Sequence, residues 1–306
     1  MLRSIMVPLD GSAFGEHALP LALGIARRAG IAAHLVHACE PPRPSRFRNQ
    51  PAGMAPEAER QRGRAYLASL ADCLTDRWDV QIKTAIVDGP AETALRHYAL
   101  EHKCDLVVLS THGYGPLSRM WLGSVARALA LTLPMPLLLT RPHGEPVDLL
   151  ESVTQQPFQR VLVPLDGSPL AEQALEPALA LGQLVGAEYT LLQVIEPPAL
   201  GYAPAAYVAG LDQHVLDQWR AIAEEYLGGV AERLHNQAIR CTSAVVFGPT
   251  AGVINDYARS HAFDLIAMAT HGRSGAARML LGSIADRVVQ TASVPVLLYR
   301  HPDHKG

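Results

Sequence analysis

One stretch of this chain occurs twice, and that repetition constrains the fold more than any other feature. Thr111 to Ala126 and Thr270 to Ala285 both open on Thr-His-Gly and both carry Arg-Met, then Leu-Gly-Ser, at the same spacing. Other blocks recur in the same order. Val-Pro-Leu-Asp-Gly-Ser occupies 7–12 and 163–168, Glu-Pro-Pro occupies 40–42 and 196–198, and Gly-Pro occupies 89–90 and 248–249. Asp10 and Asp166 stand 156 residues apart, whereas Gly113 and Gly272 stand 159 apart. The second copy therefore gains about three residues between Pro198 and Gly248, in the loop and helix after its second strand. Identical blocks in one order indicate a tandem duplication of one domain. The boundaries follow: a first domain over 1–141, a linker over 142–158 rich in Pro and Gly, and a second domain over 159–306. Two domains suit a chain of 306 residues.

Each copy alternates strand-like and helix-like segments. In the first, strands are expected at Ser4–Leu9, Ala32–Cys39, Val80–Val87, Asp105–Ser110 and Met135–Thr140. Helices are expected at Phe14–Ala29, Glu57–Asp76, Ala91–His102 and from about Ser118 to Leu131. Pro20 should kink the first helix or mark a late start, and Gly30 is a plausible stop. Such alternation predicts βαβ units, a mainly parallel sheet and right-handed crossovers.

Composition narrows the function. A formal net charge of −3, with no run of Lys or Arg, gives no reason to expect a nucleic-acid surface. The apolar stretch at Leu129–Leu139 is short and broken by Pro134 and Pro136, so no membrane span is expected. The N-terminus lacks the length and cleavage site of a signal peptide. Cys39, Cys73, Cys104 and Cys241 show no metal-ligand spacing and no repeated framework, which suits reduced thiols and a cytoplasmic protein.

The repeated blocks fall where open α/β folds bind ligands. If the first and fourth strands are neighbours, Asp10 and Gly113 sit at the carboxyl ends of adjacent strands beside one crevice. Gly123 and Ser124 open or precede the late helix, whose free N–H groups favour an anion. Arg119, recurring as Arg278, could add a contact to phosphate. Taken singly, these residues have plainer readings. The glycines and Asp10 or Asp166 could only form turns, His112 and His271 could be hydrogen-bonded loop residues, and the arginines could be surface groups. No Gly-Lys-Ser/Thr loop, dinucleotide fingerprint, nucleophile–His–acid set or metal-binding His/Cys spacing stands out.

With these residues in view, the chain resembles the universal stress protein family over nearly its whole length, as two domains. The likeness rests on Val7 to Ser12, Gly113 and Gly123-Ser124, and on Val163 to Ser168, Gly272 and Gly282-Ser283. The ATP-binding branch of that family carries Gly-x2-Gly-x9-Gly-Ser/Thr. Both copies fit its second part, but Ser110 and Ala269 replace its first glycine. The resemblance implies a Rossmann-like α/β fold, with two tandem parallel five-stranded sheets in order 3-2-1-4-5 and helices on both faces. It implies that the Pro8-Leu9-Asp10 and Pro164-Leu165-Asp166 segments lie near the base or ribose, with Ala38 and Val194 at the adenine-contacting position. Gly113, Arg119, Gly123, Ser124 and Val125 would hold phosphates, as would Gly272, Arg278, Gly282, Ser283 and Ile284. The implied ligand is ATP, with Mg2+ as a candidate companion, and the implied role is stress sensing or regulation through a protein partner. A slow ATPase and a nucleotide-free scaffold are the alternatives. Family members pair through their last strands, so Leu137–Thr140 and Val296–Tyr299 could make an intramolecular pseudo-dimer, and two chains could associate further.

Overall fold

The computed structural model describes residues 2–40, 57–111, 122–142, 157–197, 213–271 and 281–300. The chain divides into two compact units, Met1–Pro157 and Phe158–Gly306.

The first unit begins with β1 (Ser4–Pro8), every residue of which is buried. A strand that reads Ser-Ile-Met-Val-Pro and is covered on both faces belongs in the middle of a parallel sheet. The next helical segment is not one helix, as the apolar spacing from Phe14 suggested, but two. α1 (Ala13–Glu16) is a single turn, and α2 runs over Leu19–Ala29. Pro20 explains the break. It has no N–H to donate and is tolerated in the first turn of α2 but not in the middle of a continuous helix. Gly30, at φ 63°, closes α2 in the left-handed conformation that glycine adopts without strain.

β2 (Ala32–Cys39), α3 (Glu57–Trp78), β3 (Ile82–Asp88), α4 (Ala91–Glu101) and β4 (Leu106–Ser110) follow. α5 (Ser124–Thr132) and β5 (Leu137–Thr140) complete the unit. α3 extends two residues beyond the expected Asp76, which lets Trp78 bury its ring at 1% exposure. All pairings are parallel, with β1 between β2 and β4, β3 outside β2, and β5 outside β4. The order 3-2-1-4-5 is the expected one.

The second unit repeats the plan. Its elements are β6 (Arg160–Pro164), α6 (Pro169–Glu172), α7 (Leu175–Gly182), β7 (Glu188–Ile195) and α8 (Gln213–His235). Then come β8 (Cys241–Phe247), α9 (Thr250–Ser260), β9 (Leu265–Ala269), α10 (Ser283–Thr291) and β10 (Val296–Tyr299). β6 lies between β7 and β9, with β8 and β10 outside them, again all parallel. The added residues fall in the helix and the turn after it. α8 has 23 residues against 22 in α3, and the following turn spans 236–240 against 79–81.

An aspartate clips the start of the fourth strand to the start of the first in each unit. Asp105 Oδ2 accepts from the Arg3 backbone N–H at 2.6 Å, and Asp264 Oδ2 accepts from the Gln159 and Arg160 N–H groups at 2.8 and 2.9 Å. These clips sit at the amino ends of the strands and leave the carboxyl ends for other work. Among the described residues no helix is long and apolar enough to cross a membrane.

Candidate functional site

The chain leaves β1 toward β2 on one side and returns as β4 on the other, with Ile5 beside Leu106 and Met6 beside Val107. Loops that leave the carboxyl ends of such strands diverge and open a crevice between them. The same reversal occurs at β6 and β9, where Val161 lies beside Leu265.

The β1–α1 loop forms one wall. Asp10 Oδ1 accepts from the Ser12 backbone N–H at 3.0 Å and from the Ser12 hydroxyl at 2.6 Å. Gly11, between them at φ 81°, takes a conformation that a side chain would resist. Ser12 Oγ in turn accepts from Gly15 N–H at 3.0 Å and caps α1. The second unit reproduces this closely. Asp166 Oδ1 accepts from Ser168 N–H at 3.0 Å and Ser168 Oγ at 2.6 Å, with Gly167 at φ 83°. Asp10 therefore does form a turn, but only one carboxylate oxygen makes it. A carboxylate has lone pairs for about four donors, so turn formation and ligand contact are compatible.

The late helix forms the opposite wall. Gly123 and Gly282 are the residues before α5 and α10, at ordinary negative φ values of −54° and −55°. They are needed for closeness rather than for backbone freedom. Gly123 N–H donates to Thr111 O at 3.0 Å, and Gly282 N–H donates to Thr270 O at 2.9 Å. A Cβ added to Gly123 would lie 3.2 Å from that carbonyl, and one added to Gly282 only 2.6 Å away. α5 begins at Ser124, later than the expected Ser118, because Gly123 caps it and Leu122 precedes the cap in non-helical backbone. The N–H groups of the first turn have no carbonyl partners within the helix, and their dipoles favour an anion.

A third contributor was not expected from the sequence. Glu40 Oε1 accepts from Ala91 N–H at 3.1 Å at the start of α4. Glu196 Oε2 accepts from Thr250 N–H at 3.1 Å and from its hydroxyl at 2.7 Å at the start of α9. The glutamate of each Glu-Pro-Pro block thus joins the end of the second strand to the fourth helix at the rim of the crevice.

These walls enclose a cleft of about 360 Å3 in the first unit and one of about 290 Å3 in the second. Pro8, Leu9 and Asp10 line the first, with Ala38, Gly123, Ser124 and Val125. Pro164, Leu165 and Asp166 line the second, with Val194, Gly282, Ser283 and Ile284. Ser110 and Ala269, which stand where the family pattern has glycine, also line their clefts, and His271 joins the second. Residues not singled out from sequence complete the walls: Gly15, Ala91, Leu95 and Leu109 in one, and Ala171, Thr250, Ile254 and Met268 in the other. Gly113, Arg119, Gly272 and Arg278, together with His112, lie outside the described residues.

A broader groove of about 560 Å3 lies at the amino ends of β6, β7 and β8. Its polar groups are engaged with one another. Arg240 pairs with Glu188 at 3.1 Å, Thr190 with Thr242 at 3.0 Å, and Arg160 donates to His261 O at 2.5 Å. That internal pairing leaves the carboxyl-end clefts as the better sites.

Comparison with known proteins follows this geometry. A model of the Universal stress protein family matches residues 1–141 and again 157–300. A universal stress protein of Mycolicibacterium smegmatis is 28% identical over 237 residues, spanning 76% of this chain and 73% of its own. One from Synechocystis is 26% identical over 153 residues, spanning 47% of this chain and 99% of its own, so a single-unit relative matches about half of it. Among solved structures, a universal stress protein from Archaeoglobus fulgidus superposes with a TM-score of 0.68 over 98% of both chains at 17% identity, a likeness of fold. Two family matches laid end to end over two copies of one βαβ plan make this chain a tandem member of the universal stress protein family.

Proposed function

We propose that each half binds an adenine nucleotide, ATP with Mg2+ as its companion, and that the protein acts as a stress-response sensor or regulator. One observation carries this reading: in each unit a carboxylate faces a helix N-terminus across a cleft at the point where strand order reverses. The two ends suit the two ends of a nucleotide. The helix start that follows Gly123 or Gly282, at Ser124-Val125 or Ser283-Ile284, offers N–H donors to phosphates. Asp10 and Asp166 offer acceptors to sugar or base donors. The apolar side chains between them, Leu9, Leu95 and Leu109 in the first cleft, offer a surface for a flat ring. Membership of the universal stress protein family supports the same reading.

A binding role needs a ligand that prefers one conformation of the protein, since only differential affinity shifts an equilibrium. Equilibrium dialysis of the full chain against ATP with Mg2+ tests the site. Asp10→Asn and Asp166→Asn are each expected to weaken binding in their own half by about tenfold or more, the scale of a hydrogen bond to a charged group. Unchanged affinity in either variant would remove that aspartate from the site. ATP turnover by the wild-type chain is expected to stay at the level of the Asp10→Asn, Asp166→Asn double variant. Turnover well above that level would favour a slow ATPase.

A further inference from the structure

We infer that the two clefts are unequal, the first being the tighter for a ribonucleotide, and that Gly15 and its counterpart Ala171 set the difference. This rests on the nucleotide reading above and deepens it.

Gly15 and Ala171 occupy the same place, the third residue of the one-turn helix, three residues after the capping serine. Both line their clefts. A Cβ built on Gly15 would lie 2.7 Å from Asp10 Oδ1. Carbon and oxygen without a hydrogen bond do not approach so closely at rest, because repulsion rises steeply inside the van der Waals distance of about 3.5 Å. A methyl at residue 15 would therefore press on the Asp10 carboxylate, and one of the two would have to shift. The second unit has that side chain. Its aspartate makes the same turn, with the same two distances to Ser168. Beside that methyl the cap is slightly longer: Ala171 N–H lies 3.2 Å from the capping hydroxyl, against 3.0 Å for Gly15.

The surroundings agree. Asp10 is exposed, whereas Asp166 is half-buried. The second cleft is smaller, about 290 Å3 against 360 Å3. Two more exchanges in its lining add bulk in the same direction, Val194 for Ala38 and Thr250 for Ala91. Sugar hydroxyls donate to a carboxylate only if they can reach its lone pairs with good geometry. The first cleft leaves that approach open at Asp10, and the second narrows it with the Ala171 methyl and the bulkier Val194 and Thr250. The first half therefore takes a ribose with both hydroxyls engaged, and the second takes it with fewer of these contacts.

Isothermal titration of the full chain with ATP and Mg2+ tests this, each half being read alone in chains that carry Asp166→Asn or Asp10→Asn. The expected result is an affinity about tenfold higher in the first half, the worth of one good polar contact. Gly15→Ala should bring the first half down to the level of the second, and Ala171→Gly should raise the second. Replacing ATP by 2′,3′-dideoxy-ATP should cost the first half more than the second. Ala171→Gly only removes a methyl and carries the test if Gly15→Ala fails to fold. Equal affinities, or halves that ignore both exchanges, would overturn the inference and leave nucleotide binding standing. No uptake of ATP by the wild-type chain would overturn both.

Discussion

The two units agree in the turns at the carboxyl ends of their strands and differ in how the second strand is packed at its amino end. At the carboxyl ends, the aspartate–serine turn has distances of 3.0 and 2.6 Å in both copies. The carbonyl after the fourth strand accepts from the glycine before the late helix at 3.0 and 2.9 Å. At the amino ends, each copy has found its own packing. The first unit buries His34, with Nδ1 3.0 Å from the Tyr98 hydroxyl, whereas the tyrosine–histidine stack beside it recurs, with centroids 3.9 Å apart at Tyr98–His102 and 4.0 Å at Tyr257–His261. The matching position to His34 in the second unit is Thr190, which pairs with Thr242 instead. The second unit buries Tyr189 beside Gly182, where the first has Ala33 and Ala26. A core tolerates many fillings of equal volume, whereas a turn that aims a carboxylate across a cleft tolerates few. The contrast marks the carboxyl ends as the part of each unit under geometric demand.

The largest expected effect would come from forcing one packing solution onto the other unit. A Cβ at Gly182 would sit 1.8 Å from the Tyr189 hydroxyl. Gly182→Ala should destabilise the second unit by about 1–3 kcal/mol, the usual cost of overpacking. Hydrogen exchange resolved by unit should show the loss confined to the second. Adding Tyr189→Phe, which deletes the nearest clashing atom but leaves the ring Cζ 2.7 Å away, should recover part of it; no recovery would mean that the two amino ends are not packed as described. The next effect should be equal in the two halves. Ser12→Ala and Ser168→Ala each remove a cap and one arm of the aspartate turn, and each should cost its own unit about 1 kcal/mol. A clear inequality in thermal or urea unfolding would break the claim that the turns are equivalent.

The smallest effect should depend on pH and belong to the first unit alone. Burial, then the charges of Lys83 and His102, pushes the His34 imidazole below its usual range. A histidine depressed in this way is neutral in the folded state and gains its proton more readily on unfolding. Its contribution to stability is therefore complete above about pH 6.5 and is lost as pH falls below that value. The first unit should soften in mild acid more than the second. His34→Thr, which imports the residue of the second unit, should flatten the profile, and urea midpoints between pH 7.5 and 5.5 would show it.

Much of the fold was legible because it is written in local patterns. β2 was expected at Ala32–Cys39 and is found there, since apolar runs and a Glu-Pro-Pro stop define it without help from elsewhere. The break between α1 and α2 was visible only as a proline, because whether Pro20 kinks a helix or starts one depends on where the serine cap directs the chain. At the clefts, Asp10 and Gly123 stood out by recurrence. Glu40 recurred too, but its partner Ala91 is 51 residues away, and a cap reaching that far leaves no local signal. Gly15 and Ala171 were passed over for the opposite reason: they break the repeat, and a search for repetition does not notice a missing methyl.

The most direct measurement is of what the protein carries when purified. The full chain should be isolated without added nucleotide, denatured, and the released small molecules identified and counted by mass spectrometry, with a second sample saturated with ATP and Mg2+ beforehand. Adenine nucleotide in the released fraction, rising to about two per chain after saturation, is the expected result, and the Asp10→Asn, Asp166→Asn double variant should release little. No adenine nucleotide in either sample, or equal amounts from the double variant, would contradict nucleotide binding at these clefts and leave the protein as a scaffold that kept the fold without the ligand.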